Sequence, residues 1–436
     1  MFDICKLNGI LKPPEGYTAT DALFLTYSLN FKVLDSILTD CGLFQTYGND
    51  VKKAAQHVVC CFQKDRFIPE KNEKDEDDLS FGRLLNKMGR IIGIKPEKGS
   101  FHPKLFLLLF QDQENNKLLR LIIGSRNIAR TNYFEGVVCL EGTITEQTDK
   151  NGFLADFISE KAKTSTAAVS ETVEVFIQAL RNTDFSDCIN RVTDDGSAKY
   201  EFVKYPDLTG CDDLTVISPF LGDWNSFIKE QIGNAKDWKI ITRSKIAESS
   251  LPQSNEDSHY WHLNMSDGSD EHELHAKVYA FSVNGTYHLY IGSANFSENG
   301  FGKNDELMLH ITSSSCDFAD KIYTALNGKL AQEFVMQESS DDSLPEGSEL
   351  PNEDISVLEL AERVKEYLDD YEAATFFTEI LGKPVSPETY AEDFVYAVSN
   401  LSEEEKDNII RLAKDYQTNS PLIQRYKDEI GGVGNG

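Results

Sequence analysis

The stretch Phe101-His102-Pro103-Lys104-Leu105 opens a long apolar run that ends at Phe110. After a polar turn, a second apolar run at residues 118–123 leads into Gly124-Ser125-Arg126-Asn127. The same order returns at Leu274-His275-Ala276-Lys277, followed by an apolar run at 287–291 and Gly292-Ser293-Ala294-Asn295. Each copy predicts a β-hairpin that carries His-x-Lys on its first strand and Gly-Ser-x-Asn at the end of its second strand.

The residues ahead of the two copies repeat as well. A strand followed by an amphipathic helix is predicted at 20–46, and a matching strand at 213–222 runs into residues 224–229. A second buried strand at 57–62 has its counterpart at 238–242. Strand, helix, strand and hairpin in the same order twice indicate an internal duplication of an α/β unit.

This pattern divides the chain into five predicted segments. They are a first unit at 1–150, a helical connector at 151–205, a second unit at 206–337, an acidic linker at 338–354 and an acidic helical appendage at 355–436. The fold class predicted is therefore α/β, with two similar units related by a pseudo-twofold axis and helices after them. Residues 70–80, rich in charge, are expected to form an exposed loop.

Composition limits the classes of protein that fit. The 436 residues are 40% hydrophobic and 11% aromatic, which is typical of a folded protein with a large core. The net charge of −29 argues against a surface coated for nucleic-acid binding. The charge is uneven, because residues 337–436 carry 24 acidic and 8 basic side chains, a net of −16, against −13 for residues 1–336. A local basic cleft in the first part of the chain is compatible with these numbers.

Eight cysteines occur without a Cys-x-x-Cys pair, which favours free thiols in a reducing compartment. The first residues do not resemble a secretory signal, and no apolar run is long enough to cross a bilayer. We therefore expect a cytoplasmic protein that does not bind membranes. No cofactor or metal is expected, although His272 and His275, three residues apart, leave a metal site as a minor alternative.

The two motifs together favour phosphoryl chemistry. On a strand, residues i and i+2 share a face, so His102 lies beside Lys104 and His275 beside Lys277. A lysine can hold a phosphate oxygen while the imidazole nitrogen faces phosphorus. If the two units pack face to face, one histidine can attack a single phosphorus and the other can protonate the leaving oxygen, giving covalent catalysis without a metal. Glu135 and Glu306, which follow the two Asn positions, are the candidates to fix the histidine tautomers.

These residues resemble the phospholipase D superfamily, whose signature is a pair of His-x-Lys motifs, each followed by Gly-Ser-x-Asn. The resemblance extends over residues 15–336. The aspartate that the signature has five residues after each lysine is absent here, and the positions hold Leu109 and Ser282. In that respect the chain is more similar to the tyrosyl-DNA phosphodiesterase branch, which also lacks it.

The resemblance implies roles for eleven residues. The implied catalytic residues are His102, Lys104, Asn127, Glu135, His275, Lys277, Asn295 and Glu306. The implied phosphate-binding residues are Ser125 and Ser293, with Arg126 as either a third contact or a surface charge. The family usually uses the histidine of the first copy as the nucleophile, and the resemblance implies this role for His102.

Three kinds of function remain open at this point. One is a metal-independent phosphodiesterase that acts on DNA or RNA, in a bacterial DNA-processing or anti-phage defence system. Another is a hydrolase or transferase of phospholipid headgroups, although a charge of −29 opposes approach to an anionic bilayer. The third is a nucleic-acid-binding subunit of a larger complex, with a weak site and an acidic tail that binds a protein partner. Aromatic residues after the Asn positions are interpreted mainly as core, with base stacking as the alternative; they are Tyr133, Phe134, Phe296 and Phe301.

Overall fold

The structure is a computed structural model of the whole chain. It describes residues 7–48, 50–68, 81–129, 135–145, 150–162, 167–193, 195–233, 235–243, 259–264, 274–315 and 335–338, together with residue 411. By its internal contacts the chain divides into two compact parts. One consists of Met1–Lys64 with Pro69–Ser340, and the other of Asp65–Ile68 with Asp341–Gly436. Both motif copies belong to the first of these. The predicted loop at 70–80 and the helices of the appendage lie outside the described residues, and the domain boundaries remain predictions.

The first motif copy belongs to a mixed six-stranded sheet in the described part of the chain, with the order β3-β2-β1-β4-β5-β6. Its strands are β1 (Tyr17–Thr26), β2 (Val58–Gln63), β3 (Ile91–Ile94), β4 (Leu105–Asp112), β5 (Lys117–Gly124) and β6 (Val137–Thr143). The first three run parallel, whereas β4, β5 and β6 are antiparallel to their neighbours. The predicted hairpin is thus formed by β4 and β5.

Helices cover this sheet and connect it to the next one. They are α1 (Leu7–Leu11), α2 (Phe31–Asp40), α3 (Leu43–Thr46), α4 (Val51–Ala55), α5 (Phe81–Lys87), α6 (Gly152–Lys161), α7 (Ala167–Arg181) and α8 (Ser186–Thr193). Helix α2 is the predicted amphipathic one, because it buries Phe31, Leu34 and Leu38 and leaves polar residues on its other face. Its first turn is capped by Asn30, whose side chain accepts a hydrogen bond from the Val33 amide at 3.0 Å.

The second motif copy belongs to a mixed sheet in which eight strands are described, in the order β14-β10-β9-β8-β11-β12-β13-β7. Its strands are β7 (Lys199–Val203), β8 (Asp213–Ile217), β9 (Asp237–Arg243), β10 (His259–Asn264), β11 (Val278–Val283), β12 (Thr286–Gly292), β13 (Met308–Ser313) and β14 (Val335–Glu338). Helix α9 (Lys229–Ile232) follows a π-helical turn at Trp224–Ile228, and a second π-helical turn spans Asn299–Lys303. The hairpin β11–β12 matches β4–β5.

At the ends of β1 and β8 the two copies share even individual hydrogen bonds. The Thr26 hydroxyl donates to the Ser28 carbonyl at 2.8 Å and accepts the Ile128 amide at 3.0 Å. The Ser218 hydroxyl donates to the Phe220 carbonyl at 2.6 Å and accepts the Phe296 amide at 3.0 Å. Thr26 and Ser218 are therefore equivalent positions, and each ties the end of its strand to the residue after the motif Asn.

One apolar core joins the two sheets. It contains alternate residues of β4, such as Leu105 and Leu107, together with Val278 and Ala280 of β11 and Leu289 of β12. The predicted fold class, two similar α/β units that pack against each other, is confirmed for the described residues. Among those residues, no helix has both the length and the apolar character needed to cross a membrane.

Three details differ from the sequence prediction. Both His-x-Lys segments lie in extended chain just before β4 and β11, rather than within the strands. The predicted helical connector ends in strand β7, which pairs with β13. Glu338, predicted to begin the acidic linker, is the last residue of β14 and is paired with Trp261 of β10.

Candidate active site

The histidine and lysine of both His-x-Lys segments are buried. His102 and His275 are 5% and 4% exposed, and Lys104 and Lys277 are 1% and 0% exposed. Each lysine ammonium donates to the carbonyl oxygen of the histidine two residues earlier, at 3.0 Å in the first copy and 2.7 Å in the second. An ammonium group carries three N–H donors, so each lysine can make hydrogen bonds besides this one.

The glutamates cross between the two copies. His102 Nδ1 donates to Glu306 Oε2 at 2.9 Å, although the two residues are 204 positions apart. His275 Nδ1 donates to Glu135 Oε2 at 3.0 Å across 140 positions. Each unit therefore supplies one histidine and the carboxylate that orients the histidine of the other unit. The crossed pairs bring the two motif copies into one site.

The crossed pairs also fix the imidazole tautomers. An ionised carboxylate only accepts hydrogen bonds, so each Nδ1 must carry a proton and a neutral ring then has its lone pair on Nε2. Burial lowers the pKa of His102 below its ordinary value, and the nearby ammonium groups of Lys104 and Lys277 add to this effect, while Glu306 opposes it. The neutral form of His102, with a nucleophilic Nε2, is thereby favoured.

Glu135 is ionised in this setting. Burial acts to raise its pKa, but the charge and hydrogen bond of His275, the charge of Lys277 and the hydroxyl of Ser125 lower the pKa to about 2 overall. Its carboxylate can therefore hold a protonated His275 in place.

The two motif serines contact the glutamates. The Ser125 hydroxyl donates to Glu135 Oε2 and accepts the Gly136 amide at 3.0 Å. The Ser293 hydroxyl donates to Glu306 Oε2 at 2.5 Å and accepts the Leu307 amide at 3.0 Å. Because each hydroxyl has a single proton, a serine that donates to a glutamate has none left for a phosphate oxygen. The geometry thus favours a positioning role over the phosphate contact that the sequence suggested.

The motif asparagines differ between the copies. Asn127 is 3% exposed, and its Oδ1 accepts the Tyr27 amide at 3.3 Å. Asn295 is 6% exposed, and its buried Oδ1 accepts no hydrogen bond from any described residue. The residue equivalent to Tyr27, one position after Ser218, is Pro219, which has no amide hydrogen to donate.

A backbone seam holds the His102 segment against the second unit. The Asp305 amide donates to the Ser100 carbonyl at 2.8 Å, and the His102 amide donates to the Asp305 carbonyl at 2.9 Å. Asn304 completes the seam, since its Oδ1 accepts the Ser100 amide and its Nδ2 donates to Glu306 Oε1, each at 3.0 Å. His102 and its glutamate are therefore fixed by a single stretch of chain, 304–306.

Sequence reasoning missed several residues of this site. Gln63 Oε1 accepts the Phe101 amide at 2.6 Å, and the equivalent Arg243 donates from Nε to the Leu274 carbonyl at 2.9 Å. Tyr27 and Asn304 were also missed. Extending the repeat alignment beyond the motifs would have pointed to Gln63, Arg243 and Tyr27, because each lies at the end of a strand, or directly after the end of one, that has a counterpart in the other copy.

The remaining candidates fall into three groups. Phe296 and Phe301 pack with Phe227 and Tyr279 in the core of the second unit, which agrees with their interpretation as core residues rather than base-stacking ones. Arg126 is half-buried, and its role as a phosphate contact or a surface charge stays a prediction. Tyr133, Phe134, His272 and the side chains of His259 and His262 lie outside the described residues.

The two positions that lack the signature aspartate lie away from this site. Leu109 is 2% exposed in the core between the sheets, and the Ser282 hydroxyl donates to Asp213 at the far end of β11. Within the described ranges, no group of three or more His, Cys, Asp or Glu side chains has an arrangement suited to a metal ion.

Residues 227–333 match a family model described as "Cardiolipin synthase, PLD-like domain". Residues 227–333 are therefore similar to a phospholipase D-like domain. The matched range includes His275, Lys277, Ser293, Asn295 and Glu306, so it confirms the predicted resemblance to the superfamily at the second motif copy. Among proteins of curated function, none matches the chain significantly.

Three of the solved structures that are similar to this chain come from proteins of different activity. Yeast tyrosyl-DNA phosphodiesterase is 12% identical, with 68% of this chain and 84% of that chain covered and a TM-score of 0.44. Phosphatidylserine synthase from Haemophilus influenzae is 10% identical, with 76% and 84% covered and a TM-score of 0.43. NucT from Helicobacter pylori is 15% identical, with 32% and 98% covered and a TM-score of 0.23.

Proposed function

We propose that this protein is a metal-independent phosphodiesterase that cleaves a nucleic-acid phosphodiester through a phosphohistidine intermediate. The observation that carries the proposal is the crossed pairing of His102 with Glu306 and of His275 with Glu135. It gives one site two imidazoles, each with its Nδ1 proton held by a carboxylate, so that Nε2 is the ring nitrogen that takes part in the proposed chemistry.

The charges in the site suit a phosphodiester. Two buried ammonium groups, of Lys104 and Lys277, balance the carboxylates of Glu135 and Glu306. A protonated His275 then adds one positive charge, which matches the single negative charge of a phosphodiester. The lysines, together with the amide donors of Asn127 and Asn295, can bind the non-bridging oxygens and stabilise the charge that grows on them in the transition state.

In the first step His102 Nε2 attacks phosphorus and forms an N–P bond. The P–O bond to the leaving group breaks, its electron pair stays on the leaving oxygen, and the proton on His275 Nε2 neutralises it. In the second step a water oxygen attacks phosphorus and gives its proton to His275 Nε2. The N–P bond breaks, and its electron pair returns to His102.

Support for a nucleic-acid substrate comes from the motif. The missing aspartates at positions 109 and 282 are a feature shared with the tyrosyl-DNA phosphodiesterase branch. By the same resemblance we propose a bacterial DNA-processing or anti-phage defence setting, with the acidic residues after 340 as the surface for a basic protein partner.

The alternative is a lipid substrate, because the matching family model is named for cardiolipin synthase and one similar structure is a phosphatidylserine synthase. Full-length protein in EDTA, given labelled single- and double-stranded DNA, RNA, a 3′-tyrosyl oligonucleotide and a fluorescent phosphatidylglycerol, separates the two. We expect cleavage of an oligonucleotide, its loss in His102→Ala, and its retention in His57→Ala, a histidine of the same unit that pairs with Asp21 away from the site. Release of headgroup alone would favour the lipid enzyme, and activity that requires added Mg²⁺ would contradict the mechanism.

A further inference from the structure

The two copies of the active site are not equal, and the difference begins at one position. Strand β1 ends at Thr26, strand β8 ends just before the equivalent Ser218, and both hydroxyls make the same hydrogen bonds. The next residue is Tyr27 in the first copy and Pro219 in the second. A tyrosine offers an aromatic ring and an amide hydrogen, and a proline offers neither.

Tyr27 contacts three motif residues of the first copy. Its ring meets the imidazole of His102 edge-on, with centroids 4.9 Å apart and planes at 66°. The ammonium nitrogen of Lys104 lies 5.3 Å from the centroid of the same ring. The Tyr27 amide donates to Asn127 Oδ1 at 3.3 Å. Tyr27 itself is only 4% exposed, so these contacts are made inside the protein.

Backbone bonds hold Tyr27 in this place. Its carbonyl accepts the Gln63 amide at 3.2 Å. The Gln63 side chain in turn accepts the amide of Phe101, the residue before His102, at 2.6 Å. Tyr27 is thus connected to the catalytic segment in two ways. Its ring contacts His102 and Lys104, and its backbone carbonyl is linked through Gln63 to Phe101.

We propose that Tyr27 is a positioning residue that prepares His102, and not His275, to be the nucleophile. The ring excludes water from one side of the His102 imidazole and holds the Lys104 ammonium where a phosphate oxygen binds. The step it prepares is formation of the bond from His102 Nε2 to phosphorus, while His275 protonates the departing oxygen. This inference rests on the proposed function. It explains the different roles of the two histidines by one aromatic side chain.

The direction of the expected effect follows from burial. Burial lowers the pKa of His102, and a ring that is removed lets water approach the imidazole, so the pKa rises toward its ordinary value. A protonated His102 cannot attack phosphorus. Loss of the ring should therefore slow the first step at acidic pH and have little effect at pH 8.

The test is the single-turnover rate of adduct formation between pH 5.5 and 8.5 in full-length wild-type, Tyr27→Phe and Tyr27→Leu proteins. Both variants keep the backbone amide to Asn127. We expect Tyr27→Phe to stay within about twofold of wild type, since it keeps the ring. Tyr27→Leu should be slowed by up to about tenfold at pH 5.5 and by less than about twofold at pH 8, because a histidine with an ordinary pKa of about 6.5 is only about one-tenth neutral at pH 5.5.

The outcomes separate this inference from the proposed function. An adduct on His102 with superimposable pH profiles for wild type and Tyr27→Leu would overturn the role of Tyr27 and leave the function intact. The same holds for a Tyr27→Leu rate that falls by one factor at every pH, which a loss of structure would produce. If wild type forms no histidine adduct with any cleaved substrate, the proposed function itself is wrong. Circular dichroism of each variant establishes that the comparison is made on folded protein.

Discussion

At the scale of single residues, Glu306 accepts hydrogen bonds from three other residues of the site. Its two carboxylate oxygens accept from His102 Nδ1, from the Ser293 hydroxyl and from Asn304 Nδ2. All three partners donate, so a group at this position that also donates must lose at least one of them.

Replacing Glu306 by Gln should therefore lower kcat without a comparable change in KM. The amide NH₂ faces a donor, and His102 loses the carboxylate that orients it; by analogy with carboxylates that orient metal-bound histidines, we expect a loss of roughly 10- to 100-fold. Steady-state kinetics on the cleaved oligonucleotide measure the effect. Glu141→Gln, on β6 and paired with Arg120 away from the site, is the matched control and should keep its activity. Equal activity of the two variants would contradict the orienting role.

At the scale of secondary-structure elements, β12, β13 and β7 carry a second group of titratable side chains on the face turned away from the active site. His288 Nδ1 lies 3.0 Å from His310 Nε2, and His310 Nδ1 lies 2.8 Å from Glu201 Oε1. The ring of Tyr290 stacks on His310 at 3.9 Å, and the charge of Asp207 acts on both histidines. Burial is the main cause that lowers the pKa of each histidine below its ordinary value.

The stability of this sheet should therefore depend on pH. Histidines with lowered pKa values in the folded state bind fewer protons than they do in the unfolded chain, so stability is lost as pH falls through about 6.5 toward the folded pKa values. We expect the Tm of wild type to fall between pH 7.5 and pH 5.5. His288→Phe, which retains a ring to stack on Phe281, should show a smaller fall. Parallel curves for the two proteins would show that this histidine pair does not contribute.

Some of these secondary-structure elements could be predicted from the sequence and others could not. The hairpins and the duplicated order were predictable because β4 and β11 are apolar and each follows the same short motif. Strands β3 and β7 were not, since β3 has four residues with a glycine among them and β7 is a short edge strand that alternates exposed and buried positions. The crossing of Glu306 to His102 was beyond sequence reasoning as well. Spacing along the chain says nothing about which of two similar histidines a glutamate 204 residues away will meet.

At the scale of the whole molecule, the distribution of charge sets the main expectation. Residues 337–436 carry a net of −16, although both motif copies and all the described contacts of the active site lie before residue 340. Because β14 extends to Glu338 and pairs with β10, a truncation that spares the sheet should begin at residue 341.

Deleting 341–436 should leave a folded protein with undiminished or higher turnover. The acidic segment repels nucleic acid or competes for the site as a mimic of substrate, and salt screens both effects, so the gain should shrink as ionic strength rises. Turnover of the truncated and complete proteins at 50 mM and 500 mM salt measures this. A truncated protein that unfolds would place these residues in the main core, and one that folds but loses turnover would show that they contribute to catalysis.

The most direct test of the account as a whole is to trap the covalent intermediate. His275→Ala removes the base that activates water in the second step, so its reaction with the cleaved oligonucleotide, quenched in alkaline denaturant, should accumulate the adduct. Peptide mass spectrometry should then find a nucleotidyl group on His102, and none after the same reaction of His102→Ala. Undiminished turnover by His102→Ala, or an adduct on a residue other than these two histidines, would contradict it.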